Sequence, residues 1–225
     1  MFKKIVGFGD SWMYGDELVD PNNTILEPHA RGLRNAEYRE CNCFLGQLGN
    51  YYSVPVENFG IMGGSLDSAR WTFLYWLEHE PNPEECLILH GITNSYRFSH
   101  YNPEHVTMPN DPPWNHFVHS SWPDNKFKNL IKQQTVLTDS TELHRLRYQE
   151  TAMLFDGVSA RRDILTMQFN VFPEIHSLDL PTLFTDWTLK DTIFDLKPNG
   201  HPDETGHQKI AQLLINYIDR AIIVA

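Results

Sequence analysis

The chain has 225 residues, 41% of them hydrophobic and 12% aromatic, with a formal net charge of −11. That length and apolar content exclude a disordered segment and predict one domain, residues 1–225, with a sizeable core. The acidic balance excludes nonspecific binding to nucleic acid or to an anionic membrane, and no stretch approaches the ~18 apolar residues of a membrane span.

In chain order, Met1-Phe2-Lys3-Lys4 runs straight into an apolar stretch too short for a signal-peptide core, which predicts a cytoplasmic protein. Lys4 to Gly9 reads as the first strand. Cys43 to Tyr51 carries Phe44, Leu45 and Leu48 at helical spacing. Val54 to Phe59, broken by Pro55, reads as a short strand that ends in the glycine-rich turn Gly60-Ile61-Met62-Gly63-Gly64. Asp67 to Glu80 follows as a helix capped by Ser65 or Asp67, with Ala69, Phe73, Leu74 and Leu77 on one face. Cys86 to Gly91 is a continuous apolar strand of the kind buried on both faces.

Residues 95–139 break the pattern. They are rich in Pro, Asn, His and Trp and form an irregular insertion, either a binding loop over a site or a plain surface excursion. Helical periodicity returns from Thr141 to Val158 through Leu143, Leu146, Ala152, Leu154 and Phe155. Arg162 to Phe169 is the next strand and Asp203 to Ile223 the closing helix. Apolar runs alternating with amphipathic segments predict an α/β fold with a parallel sheet. Cys41, Cys43 and Cys86 are odd in number and form no C-x-x-C pair, so neither a disulfide framework nor a zinc site is expected.

The chemistry gathers at the two ends of the chain. Gly9-Asp10-Ser11 places a serine just past the first strand, where α/β enzymes expose nucleophiles. A serine hydroxyl attacks poorly near neutral pH until an imidazole takes its proton. His201-Pro202, before the closing helix, offers that imidazole. The two meet only if the whole chain folds as one unit.

With these blocks on the page, the chain resembles the SGNH, or GDSL-like, hydrolases, a flavodoxin-like family of esterases and lipases. Gly9-Asp10-Ser11 matches the first family block, Asn58-Phe59-Gly60-Ile61-Met62-Gly63 the second, His90-Gly91-Ile92-Thr93-Asn94 the third, and His201-Pro202 with Gly206-His207 the fourth, all in family order. The resemblance implies a three-layer α/β/α fold with a central parallel sheet. It implies Ser11 as nucleophile and His201 as general base. The oxyanion hole would come from the Ser11 and Gly63 N–H groups and the Asn94 amide, and no cofactor would be needed. Losing one such donor typically costs roughly 10²–10³ in rate.

Two departures from the family pattern remain open. The third block usually has asparagine where Thr93 stands, with Asn94 one place later. A bulge returns Asn94 to the oxyanion, Thr93 takes part, or Asn94 caps the next turn. In the fourth block the aspartate that orients the base is replaced by Pro198, or by Asn199 in the D-x-H-P variant. In serine-protease triads the equivalent Asp→Asn change lowers turnover by roughly 10⁴. Asn199 or a backbone carbonyl is the first choice of orienter and Asp195 the second; a bare Ser11–His201 dyad is the third.

Asp10, Trp12, Thr93 and Arg97 are candidate substrate contacts, Asp10 also fitting a turn-fixing role. His207 is expected to pack or cap. His100, His105, His116 and His119 lack clustered Cys or Asp, so no metal site is predicted. The expected activity is hydrolysis of a small acyl ester, such as acetyl, on a carbohydrate or other polar alcohol. The alternative is a weak or inactive SGNH-like module binding carbohydrate or a protein partner. A phosphate-binding protein is disfavoured, because the chain has neither Gly-Lys-Ser/Thr nor a full G-x-G-x-x-G. The short acidic form suits a phage-encoded or bacterial accessory enzyme.

Overall fold

The computed structural model describes residues 2–22, 35–101, 114–117, 140–172, 183–188, 193–198 and 200–224. Five parallel strands form the central sheet: β1 (Lys4–Gly9), β2 (Val56–Gly60), β3 (Cys86–Ile92), β6 (Leu165–Asn170) and β7 (Leu183–Thr188), in spatial order β2-β1-β3-β6-β7. This is the flavodoxin-like order, and its switch point lies between β1 and β3, where the connections leave in opposite directions. Strands β4 (Phe98–Tyr101) and β5 (Trp114–Phe117) form a separate antiparallel pair. Part of the segment read as irregular is therefore paired strand; residues 102–113 and 118–139, with His105 and His119, lie outside those described.

The three layers follow from alternation along the strands. In β1 and β3, Ile5, Leu87 and Leu89 turn to one face and pack with Phe44, Leu45 and Leu48 of α3 (Phe44–Tyr52) and with Ile210, Leu214 and Ile218 of α6 (Glu204–Val224). Val6, Phe8 and Ile88 turn to the other face and meet Phe73 and Trp76 of α4 (Leu66–His79) and Phe155 of α5 (Thr141–Arg161). Phe73 and Phe155 stack with centroids 4.2 Å apart, and Phe8 meets both edge-on. An interior β1 or β3 side chain is thus covered whichever way it points, which is why these strands are continuous apolar runs.

One helix keeps its expected cap and another buries a different stripe from the one expected. Ser65 caps α4 through a capping box with Ser68. In α5 the buried stripe runs through His144, Tyr148, Thr151, Ala152, Phe155 and Ser159, while Leu146 is exposed. Two hydrogen bonds tie that stripe to β6: Tyr148 donates to Asn170 Oδ1, and Gln168 Nε2 donates to the Ala152 carbonyl. Gln168 Oε1 also meets His90 Nδ1 at 2.9 Å, and the His90 ring stacks on Phe155. Burial lowers the His90 pKa to about 4, so this ring is neutral in the folded protein at ordinary pH. No helix among the described residues is long and apolar enough to cross a membrane.

Candidate active site

Ligand sites in open α/β sheets form beyond the carboxyl ends of the strands at the switch point. There, β1 passes directly into α1 (Ser11–Tyr14), a single turn that opens with Ser11. β2 ends in the loop carrying Gly63, and β3 runs into Thr93 and Asn94. The loop before α6 brings His201 to the same place: its Nε2 lies 2.8 Å from Ser11 Oγ. The hydroxyl and the imidazole are within direct proton-transfer distance.

Asp10 organises the turn that carries Ser11. Fully buried, it caps α1 by accepting from Trp12 N at 3.0 Å and takes a second bond from Thr93 Oγ1 at 2.7 Å. Arg97 Nη1 completes the cluster at 2.9 Å from Asp10 Oδ2, and also reaches the Gly64 carbonyl at 3.4 Å. Asp10 and Arg97 together therefore tie the loops after β1, β2 and β3. A buried charge is tolerated only with such compensation.

This changes the substrate-contact expectations. Asp10 at 0% and Thr93 at 1% exposure are spent on each other and on Arg97. Trp12, 2% exposed, packs edge-on against Phe172 and belongs to the core. Arg97 keeps an edge near the surface, but its guanidinium is held by Asp10 below and lies over the Phe172 ring.

The β2 end is stapled to α1. Asn58 Nδ2 donates to the Met13 carbonyl and its Oδ1 accepts from Gly60 N, both at 2.9 Å. Gly60 is required there, since a Cβ would stand 2.3 Å from Tyr14 N. Gly63 has φ +68°, a left-handed conformation that favours glycine. Asn94 Oδ1 accepts from Tyr96 N at 2.8 Å, so it caps the turn as one of the three alternatives expected, leaving Nδ2 as the donor end.

On the base side, Asn199 lies outside the described residues. Asp195 is not behind His201: its carboxylate pairs with Lys209 on α6, while its carbonyl accepts from Asp203 N at 3.0 Å. The His201 turn is closed instead by its own backbone, Lys197 N donating to the His201 carbonyl at 2.7 Å. His207 caps the neighbouring helix, its Nδ1 accepting from Phe44 N at 3.2 Å. Burial lowers its pKa to about 3, with the nearby His201 adding to the effect.

One residue at the centre carries no family signal. Asp16, just after α1, places Oδ2 3.8 Å from His201 Nε2. Its N–H donates to the Ser11 carbonyl at 3.0 Å, because the single turn of α1 brings residue 16 back beside the nucleophile. The only sequence cue is Gly15, whose φ of +78° ends α1 and allows that return.

Neither a protein-family model nor a curated protein matches the sequence. Solved structures do. A carbohydrate esterase whose active site is described as having divergent catalytic and non-catalytic binding functions superposes over 97% of this chain with a TM-score of 0.55 at 10% identity. The fold is that of the SGNH hydrolases. The chain spans 65% of that esterase's length. Two further structures align less well. A member of the lipolytic G-D-S-L family from Veillonella parvula has 12% identity and a TM-score of 0.39, over 96% of this chain and 98% of that one. An acetylxylan esterase from Geobacillus stearothermophilus has 16% identity and a TM-score of 0.35, over 95% and 93%.

Proposed function

We propose that this protein is a serine esterase that removes a small acyl group, acetyl as the first choice, from a carbohydrate or similar polar alcohol. The observation that carries the reading is the 2.8 Å contact between Ser11 Oγ and His201 Nε2 at the switch point of an SGNH-type sheet. The carbohydrate esterase that shares the fold supports the substrate class.

In the proposed reaction Ser11 Oγ attacks the ester carbonyl while its proton passes to His201 Nε2. The carbonyl oxygen becomes an oxyanion, which the Ser11 and Gly63 N–H groups and Asn94 Nδ2 would hold. Collapse breaks the bond to the alcohol oxygen, which leaves with the proton from Nε2. Water then attacks the acyl-serine, giving its proton to Nε2. Collapse of this second intermediate releases the acid and returns the proton to Ser11 Oγ. No cofactor takes part in these steps.

A module that binds carbohydrate or a protein partner without turnover is the second reading. The observation favouring it is Asp195, which pairs with Lys209 rather than with the base. Hydrolysis of p-nitrophenyl acetate and of acetylated sugars separates the two. The esterase reading expects turnover that Ser11→Ala abolishes. Folded wild-type protein that binds such sugars without hydrolysing them would establish the second reading.

A further inference from the structure

We infer that Arg147 is a positioning residue for the oxyanion: it fixes the turn that carries Asn94 and so aims the Asn94 amide at the developing charge. This role rests on the esterase reading, in which Asn94 Nδ2 is an oxyanion donor. Such a donor stabilises the transition state only when it is held in place before the charge develops. Asn94 lies just past the end of β3, on a turn rather than on a strand or helix. Its aim therefore depends on what holds that turn.

The turn is small and its carbonyls converge on one side chain. Arg97 N donates to the Asn94 carbonyl at 3.2 Å, which closes the turn. Asn94 Oδ1 accepts from Tyr96 N at 2.8 Å, so the amide moves with the turn rather than independently of it. Arg147, on α5, gives Nη1 to the Ser95 carbonyl and Nη2 to the Arg97 carbonyl, both at 3.2 Å. His144, one turn earlier on the same helix, places Nδ1 3.2 Å from the Ser95 carbonyl as well.

The same guanidinium reaches the other oxyanion loop. Nη2 also pairs with Asp67 in the first turn of α4, which begins at Leu66, shortly after Gly63. Arg147 thus spans the exits from β2 and β3, where the two proposed donors outside the Ser11 turn lie. Its side chain is 16% exposed and that of Asp67 22%, so water competes weakly for these bonds. An arginine suits the place because its planar fork serves several fixed acceptors at once, which a lysine does only in part. The two helices do not depend on it for their docking. Phe73 stacks on Phe155, and Arg70 bonds both Asp67 and Glu150. Removing Arg147 therefore leaves Asp67 with a cation and α4 still tied to α5.

The test is a double-variant cycle on wild type, Arg147→Met, Asn94→Ala and the combined variant. It is read in kcat/KM for p-nitrophenyl acetate and for a monoacetylated methyl xyloside. Asn94→Ala is expected to lose about 10²–10³-fold, as for other oxyanion donors. Arg147→Met is expected to lose about 10- to 100-fold, the scale of a displacement of about 1 Å at a reacting group, and Arg147→Lys less. In the Asn94→Ala background Arg147→Met should cost under about threefold, because the group it aims is gone. Equal fold losses in both backgrounds would show a general structural role and overturn the assignment. So would wild-type activity in Arg147→Met, or no loss in Asn94→Ala; in each case the esterase reading stands. If Arg147→Met does not fold, Arg147→Lys carries the same cycle by the same criterion. If wild type hydrolyses neither ester, or Ser11→Ala matches it, both readings fall together.

Discussion

The two halves of the candidate site are built in different ways. The nucleophile half is buried and charged. Ser11 is 4% exposed, on a turn whose cap, Asp10, is fully enclosed and bonded to Trp12 N, Thr93 and Arg97. The base half is a short surface turn. The His201 side chain is 21% exposed, Phe194 nearby is 81% exposed, and the turn is closed by backbone bonds and one bridge between Leu196 and Pro202. Ser11 is thus fixed by the network that also fixes the fold, whereas His201 is added to a finished scaffold. Damage to the first half should appear as lost stability, and damage to the second as lost turnover.

The largest expected effect breaks the base half alone. His201→Ala should lower ester turnover by roughly 10⁴–10⁶ while urea unfolding keeps the wild-type midpoint. A large drop in midpoint would show that the base turn is as integral as the nucleophile turn. Arg97→Ala tests the other half, since it leaves the Asp10 carboxylate buried without its cation. It should cost about 3–5 kcal/mol in denaturant unfolding. Asp10→Asn combined with Arg97→Ala should cost less than the two single losses together, because the stranded charge is gone.

Acid weakens the core through two buried imidazoles. His90 and His207 have folded pKa values of about 4 and about 3, below the 6.5 of a free imidazole. Between those values the unfolded chain binds more protons, so stability falls as pH drops through 6.5 and is flat above about 7.5. Each ring contributes roughly 1.4 kcal/mol per pH unit, about 3 kcal/mol for the pair at pH 5.5. Unfolding midpoints of wild type and His90→Gln over pH 5–8 check this, the variant showing the shallower slope. The smallest effect belongs to Asp195→Asn. Its partner Lys209 has a side chain 56% exposed, so stability should change by under about 1 kcal/mol, with turnover unchanged. A fall of about a hundredfold in turnover would place Asp195 behind the imidazole after all.

How legible each element was in the sequence follows its burial. β1 and β3 stand out because both faces are covered, so every position is under hydrophobic selection. β7 is missed: among the described residues it lies at the sheet edge, pairing only with β6 and through a register shift at Phe169/Asn170, and its sequence mixes Thr and Asp with apolar residues. α1 is one turn and α2 (Ala36–Asn42) two, too short for a periodic signal. In the site, Ser11 and His201 were legible because the blocks fix residue type beside strand and helix ends. Asp10's partnership with Arg97 was not, since it joins two loops distant in sequence. Asp16 was hidden for the opposite reason. It is local, but its position depends on Gly15 ending α1 after a single turn.

The central claim is that Ser11 is a nucleophile activated by His201. A fluorophosphonate probe followed by peptide mass spectrometry tests it most directly. The account predicts a single adduct on Ser11, none in Ser11→Ala, and labelling strongly slowed in His201→Ala. An unlabelled wild type, or an adduct formed equally fast without His201, would contradict it.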